Sequence, residues 1–202
     1  MNLLITKDNN DDKLGNFFEK CARLASLSFK DIAEIKILSS RELKNGVVFN
    51  MTVTEYHSSS FNFFAFTHGH EDGLLVEDEN YADFSENNRY WVAANFIYNF
   101  SCLSGCNFGK KIVENGAKCF VGHNKTIFIH TLPKYQEYFY KPFETFINNL
   151  SENKSVEECL QLAKEKYTEG IDALYTTDMF LASILLDNRD SLVLHGNPKV
   201  KM

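Results

Sequence analysis

Two short apolar runs, each ending in a side chain capable of nucleophilic chemistry, constrain this chain more than anything else in it. The first, Phe61-Asn62-Phe63-Phe64-Ala65-Phe66, leads into Thr67-His68-Gly69. The second, Asn95-Phe96-Ile97-Tyr98-Asn99-Phe100-Ser101, leads into Cys102-Leu103-Ser104-Gly105. Both are short, aromatic-rich and followed by glycine, the pattern of buried strands rather than helices. A strand stopping at His and another stopping at Cys set both side chains at the mouth of a sheet. In open α/β sheets that carboxyl-end crevice is where ligands bind. A thiol needs a base beside it to act as a nucleophile near neutral pH, and imidazole titrates in the right range. Cys102 and His68 are therefore the candidate catalytic pair.

At 202 residues the chain can bury one sizeable core, and residues 1–202 read as a single domain. Hydrophobic residues make up 44%, including 18 Phe and 9 Tyr, which marks a globular chain rather than a disordered one. The net charge of −6 argues against broad nucleic-acid binding and against anionic membrane surfaces. The N-terminal apolar run Leu3-Leu4-Ile5 is too short for an export signal, and no stretch approaches a membrane span. A cytoplasmic location is the expectation.

Five cysteines, Cys21, Cys102, Cys106, Cys119 and Cys159, are an odd number in a chain of this kind and do not read as a disulfide framework. Cys102-x3-Cys106-x12-Cys119-x3-His123 does approximate a zinc spacing. Residues 118–123 read as a strand, however, where residues four apart lie about 13 Å from each other. Two ligands of one zinc cannot be so far apart, so no metal and no cofactor is expected.

Leu3-Leu4-Ile5-Thr6 reads as a first strand, ended by the polar turn Asp8-Asn9-Asn10-Asp11-Asp12. Leu14, Phe17, Phe18, Cys21, Leu24 and Ala25 recur at helical steps, and residues 33–38 alternate as a second strand. Ser39 and Glu42 form a capping box that starts a helix; beyond it Leu43, Val47 and Met51 fit a helix, whereas Val47, Phe49, Met51 and Val53 fit a strand. Residues 71–88 carry Glu71, Asp72, Glu77, Asp78, Glu79, Asp83 and Glu86 without a Lys or Arg. They read as a solvated acidic loop or, functionally, as a negative rim that attracts basic substrate side chains through Glu71 and Asp72. Residues 108–115 predict a short helix and residues 119–129 a strand broken near His123. Residues 135–167 are helical, with Pro142 kinking or starting an element and a second capping box at Ser155-Val156-Glu157-Glu158. Residues 191–198 make a closing strand and turn. Strands alternating with helices predict an α/β fold: a mainly parallel sheet of about six strands, covered by helices on both faces.

At these residues the sequence resembles the caspase–gingipain clan of cysteine peptidases, and within it the CHAT branch. The clan's mark is an apolar strand ending His-Gly, followed by an apolar strand ending in Cys. Phe63-Phe64-Ala65-Phe66-Thr67-His68-Gly69 and Phe96-Ile97-Tyr98-Asn99-Phe100-Ser101-Cys102 match in that order, and Cys102-Leu103-Ser104-Gly105 fits the CHAT pattern. Asn115-Gly116-Ala117, the helical blocks from Phe139 and from Ser155, and Leu194-His195-Gly196-Asn197-Pro198 extend the similarity over residues 33–202. The Gln-Ala-Cys-x-Gly signature of true caspases is absent. The 34-residue His-to-Cys gap is also shorter than their spacing of about 50. No long linker follows Cys102, so caspase-style self-cleavage is not expected.

The resemblance implies a caspase-like three-layer sandwich and a cysteine endopeptidase that works through an acyl-enzyme. It implies Cys102 as nucleophile, His68 as base and acid, and an oxyanion hole of the Gly69 and Cys102 backbone N–H groups. A protein or peptide would be the substrate, and a partner such as a repeat-containing sensor the regulator. By analogy, the setting would be a bacterial effector in stress or antiphage defence. Three readings stay open: this peptidase, a catalytically inactive caspase-like interaction module, and a flavodoxin-like domain. The last lacks a Gly-rich phosphate loop after the first strand. His70 is the nearest rival to His68, while His57, His123, His130 and His195 carry no pattern.

Overall fold

The computed structural model describes residues 1–43, 48, 55–56, 59–83 and 88–202. Its centre is a six-stranded sheet in the order β2-β1-β3-β7-β8-β9. The strands are β1 (Asn2–Lys7), β2 (Glu34–Ser39), β3 (Phe61–Phe66), β7 (Ala94–Phe100), β8 (Cys119–His123) and β9 (Leu192–Gly196). The first five run parallel, and β9 closes the sheet antiparallel to β8. All six residues of β3 are buried, because helices and loops cover both of its faces. That two-sided burial is why the run reads as continuously apolar rather than alternating.

Alternate residues feed two cores. Leu3, Ile5, Phe64, Phe66, Phe96, Tyr98 and Phe100 face one side. There they meet α1 (Gly15–Phe29), α3 (Pro133–Ser151), α4 (Val156–Leu174) and α5 (Met179–Ser191). Edge-to-face pairs such as Phe64–Phe96 and Phe66–Phe143 pack this layer, each adding about 0.5–1.5 kcal/mol beyond area burial. Leu4, Phe61, Phe63, Ala65 and Ile97 face the other side. That side holds α2 (Asn107–Glu114), the 3-10 turn Asn88–Ala93 and a small antiparallel sheet, β4 (His68–His70), β5 (Gly73–Val76) and β6 (Glu79–Asp83). The expected architecture, a mainly parallel sheet between two layers of helices, is what the chain adopts.

Several expectations need correction. Residues 71–83 are not a plain loop: Leu74, Val76, Tyr81 and Ala82 turn inward and build the small sheet, while Glu71, Asp72, Glu77, Asp78 and Glu79 are exposed; residues 84–87 lie outside the described residues. The strand expected over 119–129 stops at His123, and residues 124–132 carry no regular structure. Pro142 lies inside α3, which already starts at Pro133, and helix α5 has no counterpart in the sequence reading. Of the Ser39–Glu42 box only one half forms: Glu42 Oε2 accepts from Ser39 N at 2.9 Å, while Glu42 N donates to Ser39 O at 2.8 Å and residues 40–42 form a turn. Val47, Phe49, Met51 and Val53, which left the next element open, lie outside the described residues. At Ser155 the capping box is complete in both directions.

Candidate active site

The parallel register sets the carboxyl ends of β1, β3 and β7 side by side, with Lys7 opposite Phe66 and Phe66 opposite Phe100. The next residues of the three strands therefore emerge on one edge: Asp8 to Asp12 from β1, His68 from β3 and Cys102 from β7. His68 and Cys102 line the same small cleft, walled by Leu14, Phe18, Phe100, Ile127 and Ile129. Phe18 packs edge-on against the His68 ring at 5.7 Å between centroids. Gly69 comes hard against the backbone at Ser101 and Cys102. A Cβ on it would stand 2.9 Å from the Cys102 carbonyl oxygen and 2.9 Å from Ser101 Cβ. Only a glycine permits that approach.

Cys102 sits at a bent, well-tied turn. Leu103 adopts a positive φ of 58°, Leu103 N donates to Lys125 O, and Gly105 N donates to His123 O. His195 Nε2 donates to Gly105 O at 2.7 Å, so the closing strand also grips the turn. The sulfur itself receives the Ile127 N–H at 3.4 Å and lies 3.8 Å from Ile127 O. Burial pushes the Cys102 thiol pKa up, against weaker opposition from the Ile127 and Cys102 backbone.

Sequence reasoning missed one side chain at this edge. Asp11 Oδ2 lies 3.0 Å from His68 Nε2. Burial raises the Asp11 pKa, but the Leu14 N–H, the His68 ring and the Lys13 N–H outweigh it and hold the carboxyl below its ordinary range. An ionised carboxylate only accepts, so Nε2 carries the proton of the neutral ring, and Nδ1 keeps the lone pair. An acid-rich turn ending the strand beside the His-bearing one was the available signal.

Asp8, Asp11 and Asp12 of that turn join Glu77 and Asp78 of the β5–β6 turn in a second, open cleft shared with His68. Among the described residues, no Lys or Arg lines it. Glu71 and Asp72, the residues expected to attract a basic substrate, line neither cleft. Asp72 is bound by Lys111 at 3.1 Å, which accounts for its lowered pKa.

Comparison with known proteins brings the pieces together. No protein-family model matches this sequence, and no curated protein matches it. Among solved structures, the Arg-specific cysteine proteinase gingipain R aligns over 100% of the chain, with a TM-score of 0.54 and 10% identity. The fold is caspase-like. The chain spans 47% of that gingipain chain. A secreted C11 cysteine protease from Bacteroides thetaiotaomicron aligns over 93% of this chain and 57% of its own, at 12% identity and a TM-score of 0.44. An inactive zymogen C11 protease from Parabacteroides distasonis aligns over 79% and 67%, at 11% identity and a TM-score of 0.44.

Within this caspase-like fold the remaining candidates have ordinary partners. His70 Nε2 meets Asn80 Oδ1 at 2.7 Å on the exposed hairpin, and His57 lies outside the described residues. Cys119 and His123 are the first and last residues of β8. His123 is fully buried and its Nδ1 is taken by Ser191, so the zinc-like spacing does not gather a site. Among the described residues, Asp8, Asp11 and His68 alone offer three ligand atoms within 4.8 Å of one another. Asp11 already holds His68, and Asp8 Oδ1 accepts from Ser40 Oγ at 2.8 Å. All five cysteines are free, and no described helix is long and apolar enough to cross a membrane.

Proposed function

We propose that the chain is a cysteine endopeptidase with Cys102 as nucleophile and His68 as general base and acid. One observation carries the reading: His68 and Cys102 converge on one cleft at the carboxyl ends of adjacent parallel strands. Asp11 holds Nε2–H, so Nδ1 takes the thiol proton as sulfur attacks a peptide carbonyl. The carbonyl electrons move to oxygen, which the Gly69 and Cys102 N–H groups stabilise by about 2.7–4 kcal/mol per donor. The imidazolium then protonates the leaving amine, and water hydrolyses the acyl-enzyme. In the resting chain burial keeps the thiol pKa up, and the sulfur rests against the Ile127 backbone, whose N–H favours the thiolate.

The acidic cleft beside His68 supports a preference for Lys or Arg before the scissile bond, carried by Asp12, Glu77 and Asp78 rather than by Glu71 and Asp72. Gingipain R, the structural relative described above, is Arg-specific. We further propose that residues 1–202 act as one CHAT-like domain in the cytoplasm. A partner such as a repeat-containing sensor would regulate it, as in a stress or antiphage effector. A peptide-library digest tests the reaction. Wild type should yield new termini after Lys or Arg, and Cys102→Ala none; equal digestion, or none from either, contradicts it.

A second reading, a caspase-like interaction module without turnover, draws on the raised thiol pKa. Alkylation separates the two. Selective, pH-dependent labelling of Cys102 that is lost in His68→Ala supports the enzyme; equal labelling of every accessible thiol supports the module.

A further inference from the structure

Behind His68 lies a buried line of three hydroxyls that the chemistry so far does not use. Tyr81 Oη sits 2.9 Å from Thr6 Oγ1 and 3.1 Å from Thr67 Oγ1. Thr67 Oγ1 in turn lies 3.1 Å from the His68 carbonyl oxygen. Thr6, Thr67 and Tyr81 are all 3% exposed or less. A carbonyl can only accept, so Thr67 must donate to His68 O. Its hydrogen spent, Thr67 accepts from Tyr81, and Tyr81 accepts from Thr6. The last acceptor fixes the direction of the whole line.

That last acceptor shares a rigid plane with the Gly69 N–H, because the His68 C=O and the Gly69 N–H belong to one peptide group and point in opposite directions. The two-residue turn Glu71-Asp72 closes on the pair His70–Gly73, and bonded and non-bonded pairs alternate along an antiparallel ladder. His68–Leu75 is then a bonded pair, while Gly69 turns its N–H away from β5. Cys102 packs against this same residue, its carbonyl oxygen 2.9 Å from where a Gly69 Cβ would be. We propose that Tyr81 is a positioning residue: through Thr67 it fixes the peptide plane that aims the Gly69 N–H at the developing oxyanion. The proposal rests on the peptidase reading above and adds to it a residue from the small sheet.

Tyr81→Phe keeps the ring and removes only the hydroxyl. Its kcat on a Lys- or Arg-containing peptide should fall about tenfold while KM stays within about twofold, as for an interaction made in the transition state. Affinity for a peptide aldehyde, whose Cys102 adduct places an oxyanion in the same position, should also fall about tenfold. Alkylation of Cys102 by iodoacetamide forms no oxyanion, so its rate should be unchanged. Thr67→Val, an independent break in the same line, should reproduce all three results, and the double variant should be no worse than Thr67→Val alone. Should Tyr81→Phe fail to fold by circular dichroism, Thr67→Val carries the test. Retained kcat and aldehyde affinity in the folded variants, beside an active wild type, overturns the role of Tyr81 and leaves the peptidase standing. An equal loss of alkylation also overturns it, as the mark of general disorder. A wild type that neither cleaves peptide nor forms the aldehyde adduct overturns both.

Discussion

His68 presents its Nε2 to Asp11, 3.0 Å away, while Cys102 lies across the same cleft with its sulfur against the Ile127 backbone. The imidazole is thus oriented from behind before any substrate arrives. Asp11→Asn removes the carboxylate but keeps the shape, and a neutral amide no longer dictates the ring tautomer. We expect kcat/KM to drop about 10- to 100-fold, measured on a Lys- or Arg-containing peptide. Asp11 also contributes to acid stability. Its folded pKa is lowered, so its contribution is complete above the unfolded value of about 3.9 and is lost as pH falls through the lower folded value. Wild type should therefore resist urea better than Asp11→Asn near neutrality, and the gap between their midpoints should close as pH falls below about 4.

Gly69→Ala should be costly in two ways. The added Cβ meets the Cys102 carbonyl oxygen and Ser101 Cβ, each at 2.9 Å, and neither is the tip of a flexible side chain. Overpacking of this kind costs about 1–3 kcal/mol, read from the denaturation midpoint. Because the strain falls on the proposed oxyanion hole, peptidase activity should decline at temperatures where the variant is still folded.

His123 makes the fold sensitive to mild acid. Burial holds it neutral and pushes its pKa down to about 3. The unfolded chain protonates this histidine near pH 6.5, so stability is full above that value and declines as pH falls towards 3, by about 1.4 kcal/mol per unit. His123→Asn keeps a donor for Ser191 and removes the titration. Denaturant midpoints between pH 4.5 and 7.5 should slope in wild type and be nearly flat in the variant, whatever constant loss the smaller side chain brings by leaving Phe100.

Specificity should follow the acidic cleft. Neutralising Glu77 and Asp78 together, as Gln and Asn, should raise KM for peptides with Lys or Arg before the scissile bond about 10-fold or more. Peptides with a neutral residue there should change little. Glu71→Gln and Asp72→Asn, at positions outside the cleft, serve as controls, and paired kinetics on matched peptides make the measurement.

The parts legible in the sequence are those where packing leaves a one-dimensional mark. Strands β3 and β7 stand out because burial on both faces makes every residue of each run apolar or aromatic but for a few Asn. Helices α1 and α4 stand out through their single buried stripes. Helix α5 left no such mark: Leu181, Ala182 and Leu185 are buried, while Met179, Phe180 and Leu186 face outward. The small sheet was hidden by its outward carboxylates, which dominate the composition over the four inward apolar residues. Asp11 was hidden for another reason. Its partner lies 57 residues away, and only the parallel pairing of β1 with β3 makes them neighbours. The placement of His68 and Cys102 on one edge was the deepest inference available from residue order alone.

The most direct test of the account is where a mechanism-based label lands. The protein would be treated with a Lys- or Arg-terminated peptidyl acyloxymethyl ketone, and its mass then mapped by peptide. The account predicts a single thioether adduct on Cys102, formed faster than by a simple alkylating agent and abolished in His68→Ala. An adduct shared between Cys102 and Cys106 irrespective of His68, or no adduct on either, would contradict it.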